Sequence, residues 1–248
     1  MPKVSIITPL FNGAGFIGQA IRSVLDQTFK DWEMIIVDDC STDHPEKGIN
    51  PFLLSDPRIS YTRLDRNQGA AAARNLAIAR AQGAFIAFLD GDDTWEPAKL
   101  ERQITLMENE GWAFSFTSYA VMDRDGKLSG KVVHAPGKLD YRHYLRNTAI
   151  GCLTVVIDRR QTGSFTMPLI RTSQDMALWL ELMKRGFTAY GIDEVLASYR
   201  VVNTSNTANK WKAAAGVWQV YREIEKLPLL PSLWNFAGYA FHAVLKRL

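Results

Sequence analysis

The chain of 248 residues is 47% hydrophobic and 22% charged, with a formal net charge of +3 at pH 7. This composition predicts a soluble protein with one large domain or two tightly fused ones, and the mild charge does not favour a nucleic-acid-binding protein. Cys40 and Cys152 lack metal-ligand spacing, which favours a reducing compartment. Residues 1–9 read as a strand that is too short and proline-broken for a signal peptide, so we expect a cytoplasmic protein.

Strand and helix patterns alternate through the first part of the chain. Residues 4–8 predict a strand, residues 16–27 have apolar side chains at helical spacing, and residues 34–37 form a fully apolar strand. Such a strand–helix–strand unit predicts a parallel sheet that is covered on both faces. Residues 59–64 then predict another strand, and residues 70–81 an alanine-rich helix.

An acidic turn follows the apolar stretch 84–89. It carries the carboxylates of Asp90, Asp92 and Asp93 around Gly91. Adjacent carboxylates repel one another, and Mg²⁺ or Mn²⁺ prefers such oxygen ligands. Because Mg²⁺ is typically held by one or two carboxylates together with substrate phosphates, the turn predicts a phosphorylated ligand, and a nucleotide is the first candidate. A solvated acidic turn is the alternative.

A second pair of acids, Asp38 and Asp39, follows the strand at 34–37. Ligands of parallel sheets bind at the carboxyl ends of the strands. We therefore expect this pair and the acidic turn to face one crevice. Arg74, one turn inside the helix at 70–81, either holds a diphosphate there or is a solvated helix residue.

Residues 13–18 point to another class of protein. They read Gly-Ala-Gly-Phe-Ile-Gly, the pattern of dinucleotide-binding enzymes, with acidic residues about twenty positions later. In that fingerprint the first glycine follows the strand directly, whereas residues 9–12 intervene here, and the pattern does not explain the acidic turn. An NAD-dependent oxidoreductase is the alternative that these residues leave open.

Four segments together resemble, in the right order, the signatures of glycosyltransferase family 2. They read VSIITPLFN at 4–12, QTFKDWEMIIVDDCSTD at 27–43, NQGAAAARN at 67–75 and FLDGDD at 88–93. The resemblance implies an α/β GT-A fold with a mostly parallel sheet between helices, an inverting hexosyl transfer, a nucleotide-sugar donor, usually a UDP-sugar, and Mn²⁺ or Mg²⁺. It divides the chain into a nucleotide-sugar-binding half at 1–111, an acceptor-binding half of the same domain at 112–205 and a helical extension at 206–248.

The resemblance assigns the donor side residue by residue. Pro9 and Phe11 match the family's first-strand loop, where Phe11 would stack on the base. Asp39 matches the acid that bonds the base edge, and Arg74 matches a basic residue near the diphosphate.

In the acidic turn the same resemblance gives each carboxylate its own role. Asp92 takes the position of the metal ligand, Asp90 lies nearer the ribose, and Asp93 supports them.

The segment TSQDMALWLELM at 172–183 resembles the family's Glu-Asp-x-x-Leu-Trp-Leu segment and makes Asp175 the general base. Gln174 stands where glutamate is common, which leaves Asp175 as the single candidate. Without the resemblance, Asp175 reads as a helix cap. Because it lies near a helix N-terminus, we expect a lowered pKa.

The segment YRVVNTS at 199–205 resembles the family's loop that closes over the donor. It places Arg200 and Ser205 within reach of the pyrophosphate, and Val202 replaces a frequent histidine. Arg200 reads alternatively as a strand-end ion-pair residue. A non-catalytic nucleotide-sugar-binding protein, with Gln174 and Val202 marking lost catalysis, is a further alternative.

The second half of the chain carries weaker patterns. Residues 112–119 predict an aromatic strand, and the glycine- and charge-rich residues 123–138 predict a mobile loop. Helical spacing returns at 210–226, followed by an aromatic segment that Pro228 and Pro231 interrupt and that is too short to span a bilayer. This helix either lies in the membrane interface or packs on protein. The resemblance implies a saccharide or lipid-linked saccharide acceptor in cell-surface polysaccharide synthesis, which fits a protein at the inner face of the membrane.

Overall fold

A mixed sheet of ten strands organises the part of the chain that the computed structural model describes, residues 1–202 and 210–245. The strands are β1 (Val4–Leu10), β2 (Trp32–Asp38), β3 (Ile59–Arg63), β4 (Phe85–Phe88), β5 (Thr94–Trp95), β6 (Phe114–Met122), β7 (Leu128–Val133), β8 (Lys138–Leu139), β9 (Val156–Asp158) and β10 (Ala189–Arg200). The helices are α1 (Ile17–Leu25), α2 (Glu46–Ser55), α3 (Ala70–Arg80), α4 (Lys99–Glu110), α5 (Tyr141–Tyr144), α6 (Arg159–Thr162), α7 (Gln174–Lys184), α8 (Lys210–Gln219) and α9 (Leu229–Leu245). A 3₁₀ turn at Cys152–Thr154 and a π-helical turn at Val220–Ile224 complete the set.

The sheet has the order β3-β2-β1-β4-β9-β6-β10-β5, with β7 on β6 and β8 on β10. Strands β3, β2, β1 and β4 are mutually parallel, β9 runs antiparallel between β4 and β6, and β6 is parallel to β10. The predicted α/β architecture with a mostly parallel sheet is therefore confirmed.

Alternate side chains of a strand point to opposite faces of a sheet. In the central strands both sets of side chains are buried, one in each of two hydrophobic clusters. In β1, Ile6 packs into one hydrophobic cluster and Ile7 into the other, and in β2 Ile36 and Val37 divide in the same way. All seven residues of β1 are buried. This two-sided burial explains the nearly unbroken apolar runs that predicted these strands.

Two expectations about chain breaks are wrong. Residues 123–138 are not one loop, since β7 pairs antiparallel with β6. Pro231 does not interrupt the C-terminal segment, because it lies in the first turn of α9, where a backbone N–H has no partner within the helix. Among the described helices, none is long and apolar enough to cross a membrane.

Lys99, the first residue of α4, has a buried amine. Its side chain is fully buried, and its Nζ lies 4.3 Å from the centroid of the Trp95 ring. It donates to Oε1 of Gln103 and, at 3.5 Å, to the carbonyl of Thr154. Burial lowers the pKa of Lys99 to about 7, because the charged form loses its hydration.

This burial predicts a pH-dependent stability. Between the folded pKa of about 7 and the ordinary value of 10.5, the unfolded chain holds a proton that the folded chain has released, so stability rises with pH across that window. The Lys99→Met variant lacks this contribution. Urea unfolding at pH 7 and pH 9 should show the wild type gaining about 2 kcal/mol more than the variant. Parallel pH profiles for the two proteins would contradict the assignment.

Candidate active site

The predicted site residues follow strands that end at one edge of the sheet. In the parallel registers, Leu10 of β1 lies beside Asp38 of β2, and Ile7 lies beside Phe88 of β4. The carboxyl ends of β1, β2 and β4 therefore bring residues 11, 39 and 90–93 to the same edge. This is the edge at which open α/β sheets bind their ligands.

The first-strand loop presents an aromatic ring to solvent. Pro9 is buried within β1, beside Val37, whereas Phe11 is 53% exposed directly after the strand. The amide oxygen of Asn12 accepts from the backbone N–H of Thr42, which fixes the loop against the chain that follows β2. The ring of Phe11 is therefore available for stacking at the edge of the crevice.

The two acids after β2 are both buried, Asp38 at 0% and Asp39 at 2% exposure, but they have different partners. Asp38 accepts hydrogen bonds from Ser41 and, at 2.8 Å, from the Tyr61 hydroxyl. Asp39 accepts from the backbone N–H groups of Gln68 at 2.6 Å and Gly69 at 2.7 Å. Since Gly69 precedes α3, Asp39 holds the beginning of that helix. Of the two acids, Asp38 supports the strand ends and Asp39 connects them to α3.

The helix that Asp39 holds carries a buried cation. Arg74 is 5% exposed, and its Nη2 donates to Oδ1 of Asp90 at 2.6 Å. Burial alone lowers the pKa of Arg74, but the nearby charges of Asp90 and Asp175 outweigh it and raise the pKa. The Nε of Arg74 is buried without a hydrogen-bond partner in the described part of the chain. The solvated reading of Arg74 is therefore wrong.

The acidic turn is held from the other side by the end of β10. Asp93, 1% exposed, accepts from the backbone N–H of Arg200 at 2.8 Å. The Arg200 guanidinium donates to the backbone carbonyl of Asp92 at 2.7 Å, to the carbonyl of Arg124 at 2.8 Å and to Oε1 of Gln19 at 2.6 Å. Arg200 is thus a buried residue that connects the acidic turn with the chain around it. Among the described residues, no carboxylate forms an ion pair with its guanidinium.

The turn leaves little space at Gly91. A Cβ placed there would lie 2.8 Å from Cδ1 of Leu10, which would have to move, and in ordinary contact, at 3.5 Å, with the Pro9 carbonyl oxygen. The turn therefore packs directly on the end of β1. The carboxylates on either side of Gly91 are consequently fixed relative to the first-strand loop.

Of the three carboxylates in the turn, Asp92 is the one that makes no hydrogen bond with another side chain or with a different strand in the described structure. Asp90 is paired with Arg74 and Asp93 with β10, whereas Asp92 bonds only its own backbone in the described structure. Burial, and then the charge of Asp90, raises the pKa of Asp92 to about 6. Burial, with Asp92 and Asp90, also raises the pKa of Asp93 well above its usual range. A bound cation would relieve this repulsion.

No three His, Cys, Asp or Glu side chains within residues 1–202 and 210–245 form a group that could hold a metal ion. One carboxylate nevertheless fits Mg²⁺ or Mn²⁺ when phosphate oxygens supply the other ligands. Asp92 is compatible with that arrangement.

Asp175 lies in the first turn of α7, partly buried. The expected lowering of its pKa is wrong: burial raises the pKa of Asp175 and outweighs both the charge of Arg74 and the backbone N–H of Met176. Ser173 is the residue at the N-cap position, so Asp175 is not the helix cap. The Oε1 of Gln174 is buried without a partner in the described residues.

Two residues without a sequence signal lie beside Asp175. The 1%-exposed Tyr144 of α5 has a raised pKa, through burial first and then through the charge of Asp175. Burial likewise raises the pKa of the Cys152 thiol, and Arg74, Asp90 and Asp175 all act on it. The irregular chain around them has no periodicity that would have predicted this placement.

The C-terminal helices pack against the residues that precede Asp175. Gly216 of α8 lies so close to the loop before α7 that an added Cβ would collide with the Thr172 hydroxyl and lie 2.8 Å from Oγ of Ser173. Ser173 has a φ of +60°. Helix α8 therefore fixes the turn from which α7 begins. Ser205, which was predicted to reach the pyrophosphate, is outside the described residues.

A cavity of about 400 Å³ lies beside the loop at 13–18. Its lining includes Asn12, Gln19 and Arg124, which adjoin the Arg200 contacts. None of the predicted donor-binding residues lines it.

Comparison with known proteins gives a consistent result. The sequence profile described as "Glycosyl transferase family 2" matches residues 5–159. TuaG of Bacillus subtilis (strain 168), named as a teichuronic acid biosynthesis glycosyltransferase, is 53% identical over 247 residues, which cover 100% of this chain and 98% of TuaG. WfgD of Escherichia coli, named as a UDP-Glc:alpha-D-GlcNAc-diphosphoundecaprenol beta-1,3-glucosyltransferase, is 38% identical over 227 residues, which cover 91% of this chain and 88% of WfgD.

Solved structures show the same fold. S. aureus TarS 1–349 in complex with UDP-GlcNAc has a TM-score of 0.75 at 16% identity, covering 96% of this chain and 71% of the TarS chain. The mannosyltransferase PcManGT from Pyrobaculum calidifontis, in complex with GDP-Man and Mn²⁺, has a TM-score of 0.70 at 17% identity, covering 98% and 74%. The predicted GT-A fold is confirmed.

The Arg74–Asp90 pair predicts a specific stability defect. In Arg74→Met, Asp90 and Asp175 lose the cation between them, so we expect a loss of about 3 kcal/mol at pH 7.5. The charge of Arg74 lowers the pKa of Asp175 against the effect of burial, so without Arg74 that pKa rises further, and lowering the pH to 5 should recover part of the loss as Asp175 protonates. Urea unfolding measures both values. The exposed Arg80→Met is the matched control, and a loss equal to the control's, or one that does not depend on pH, would contradict this account.

Proposed function

The chain belongs to glycosyltransferase family 2, and from this premise we propose that it transfers a sugar, with inversion, from a UDP-sugar to a hydroxyl of a lipid-linked saccharide during cell-surface polysaccharide synthesis. The family match leaves the NAD-dependent oxidoreductase alternative without support. One observation carries the proposal: at the edge of the sheet, Asp92 is a carboxylate without a side-chain partner among the described residues, and Asp175, on a different element, is within the electrostatic reach of Arg74. In such a site, Asp92 can act on the departing diphosphate while Asp175 acts on the attacking hydroxyl.

The donor proposal rests on the first-strand loop, on α3 and on the relatives. Phe11 is exposed where a base could stack, and Asp39 is fixed beside it at the start of α3. WfgD is named for UDP-Glc, and TarS was solved with UDP-GlcNAc. We propose that Pro9, Phe11 and Asp39 bind the nucleoside, and that Asp90 and Arg74 face the ribose and diphosphate.

We propose that Asp92 is the protein ligand of Mn²⁺ or Mg²⁺, with Asp90 and Asp93 in support. A divalent cation bound there would stabilise the negative charge that develops on the departing diphosphate. The protein's own contribution is to hold the Asp92 backbone through Arg200 and the Asp90 carboxylate through Arg74. We propose that Arg200 acts on the diphosphate chiefly through this positioning of Asp92, because its guanidinium already binds the protein.

We propose that Asp175 is the general base. A raised pKa makes the ionised carboxylate a stronger base toward the acceptor hydroxyl, as long as the pH stays above that pKa. The attack removes the hydroxyl proton to Asp175, forms the bond from the acceptor oxygen to the anomeric carbon and breaks the bond from that carbon to the diphosphate. Attack and departure on opposite faces invert the configuration.

Two carboxylate substitutions separate the proposed roles. We expect Asp92→Asn to weaken Mn²⁺-dependent UDP binding at least about tenfold and to abolish transfer, and Asp175→Asn to abolish transfer while UDP still binds. Calorimetric titration of UDP with and without Mn²⁺, together with UDP release from UDP-sugars, measures both. Asp31→Asn, at an exposed residue far from the site, is the matched control.

Near-normal turnover by either variant would refute its assigned role. A thermal-shift panel of UDP, GDP, NAD and their sugars, with and without Mn²⁺, identifies the nucleotide. If the wild type binds a UDP-sugar and never releases UDP, the protein is the non-catalytic binder.

The contact between α8 and the loop before α7 predicts a positioning effect. An Ala side chain at Gly216 would push Thr172 and Ser173 and so displace Asp175, whereas one at Gly48 of α2 would make only an ordinary van der Waals contact, 3.9 Å from the Ala14 carbonyl oxygen. We expect Gly216→Ala to lower kcat about tenfold or more with unchanged UDP affinity, and Gly48→Ala to leave kcat unchanged. A Gly216→Ala protein with normal kcat would show that α8 does not position the base.

A further inference from the structure

Helix α9 carries large apolar side chains on its solvent side as well as on its packed side. Its solvent side carries large apolar residues, among them Leu230 at 78%, Trp234 at 66% and Phe241 at 62% exposure. Ala237 and Ala240 are exposed on the same side. These positions follow one another at three- and four-residue intervals, so they form one continuous stripe.

The packed side of α9 presents Phe236 and Tyr239 to the hydrophobic core, and it also carries two buried polar residues. Ser232 is fully buried and Asn235 is 8% exposed. The Ser232 hydroxyl donates to the Pro228 carbonyl at 2.9 Å, and the Asn235 amide oxygen accepts from Nε of Arg146 at 3.2 Å. A water-facing surface gains nothing from a stripe of Leu, Trp and Phe, and a contiguous apolar patch of this kind marks an interaction site.

Two arginines from α5 and the residues after it flank this stripe. A groove of about 530 Å³ between the two helices is lined by Arg142, Arg146, Leu230 and Trp234. The Arg146 guanidinium lies 5.5 Å from the centroid of the Trp234 ring. Indole rings beside arginines are typical of the membrane interface, where rings enter the headgroup level and cations meet lipid phosphates.

The acidic groups nearby do not cancel this charge. Asp140 pairs with His143 at 2.7 Å, and the nearly buried carboxylate of Glu225 pairs with Lys184 at 3.1 Å. After Glu225 the sequence has no Asp or Glu. The described face that includes α9 is therefore apolar in its centre, with Arg142 and Arg146 at its margin.

This face lies one short helix away from the candidate base. Tyr144 of α5 is buried toward Asp175, whose charge raises its pKa after burial, while Arg142 and Arg146 line the groove outside. An acceptor whose lipid part is in a membrane at this groove would have its saccharide on the side of Asp175.

We propose that the outward face of α9, with Arg142 and Arg146, is a docking surface for an anionic phospholipid bilayer, in which α9 lies along the interface. The inference deepens the proposed function and rests on it for the lipid-linked acceptor. The 17 residues of α9 suit a helix that lies in the interface, where its apolar side enters the acyl boundary. Charge complementarity selects the anionic bilayer as the occupant.

Vesicle co-sedimentation of the full chain tests the proposal. We expect binding to vesicles of phosphatidylglycerol and phosphatidylcholine, weaker binding to phosphatidylcholine alone, and weaker binding at high salt. Trp234→Glu should lower the bound fraction about tenfold, since the ring no longer enters the interface. Leu54→Glu, at an exposed leucine of α2, is the matched control and should bind as the wild type does.

A charge reversal tests the basic margin separately. Arg142→Glu should weaken binding to the anionic vesicles several-fold, whereas Lys47→Glu, at an exposed lysine of α2, should not. Because all four positions are exposed, circular dichroism should give unchanged melting for the variants.

Three outcomes would overturn the inference. In the first, the wild type binds neither kind of vesicle, and in the second, Trp234→Glu binds vesicles as well as the wild type does. In the third, sedimentation velocity shows a wild-type dimer that Trp234→Glu dissociates, because the face then binds a second copy of the chain. UDP release from a UDP-sugar without vesicles tests the proposed function independently. Release without vesicle binding refutes the docking surface alone, and vesicle binding without release from any UDP-sugar refutes the transferase proposal alone.

Discussion

The buried guanidinium of Arg74 is the interaction on which the site depends. It pairs with Asp90 at 2.6 Å and acts electrostatically on Asp175, which comes from a helix about a hundred residues later in the chain. A buried cation is stable only with opposite charges close to it. Its presence therefore allows two partly buried carboxylates from different parts of the chain to lie in one crevice. Because Asp39 holds the beginning of α3, the position of Arg74 depends in turn on the end of β2.

This arrangement explains why several acids at one edge of the sheet have different properties. Asp38 and Asp93 are buried and bonded within the protein, and Asp39 is used for the start of α3. Among the described residues, Asp92 is held through its backbone carbonyl, to which Arg200 donates. Burial and repulsion from the charge of Asp90 raise the pKa of its carboxyl. We propose that the division into supporting acids, one cation ligand and one base is what turns an acidic edge into a catalytic site.

The sequence predicts the parts of the fold whose signals are local. β1, β2, β3 and α3 were predicted to within a few residues because apolar periodicity and turn residues act over short distances. Prediction failed where a contact with a distant part of the chain determines the local structure. β7 forms because β6 offers it a partner strand. The pKa of Asp175 has the opposite sign to the helix-terminus argument because tertiary burial outweighs it. Tyr144 and Cys152 reach the site through an irregular chain that carries no pattern.

The C-terminal helices connect the site with the proposed membrane face. Helix α8 packs on the turn before α7, and α9 lies against the chain that leads from α5 toward Cys152. In the proposed reaction, the diphosphate departs and the acceptor attacks on opposite faces of the sugar. Proton NMR of the product formed from UDP-glucose and a lipid-linked saccharide gives its anomeric configuration. Inversion yields a β-linked product from the α-linked donor, and an α-linked product would refute it.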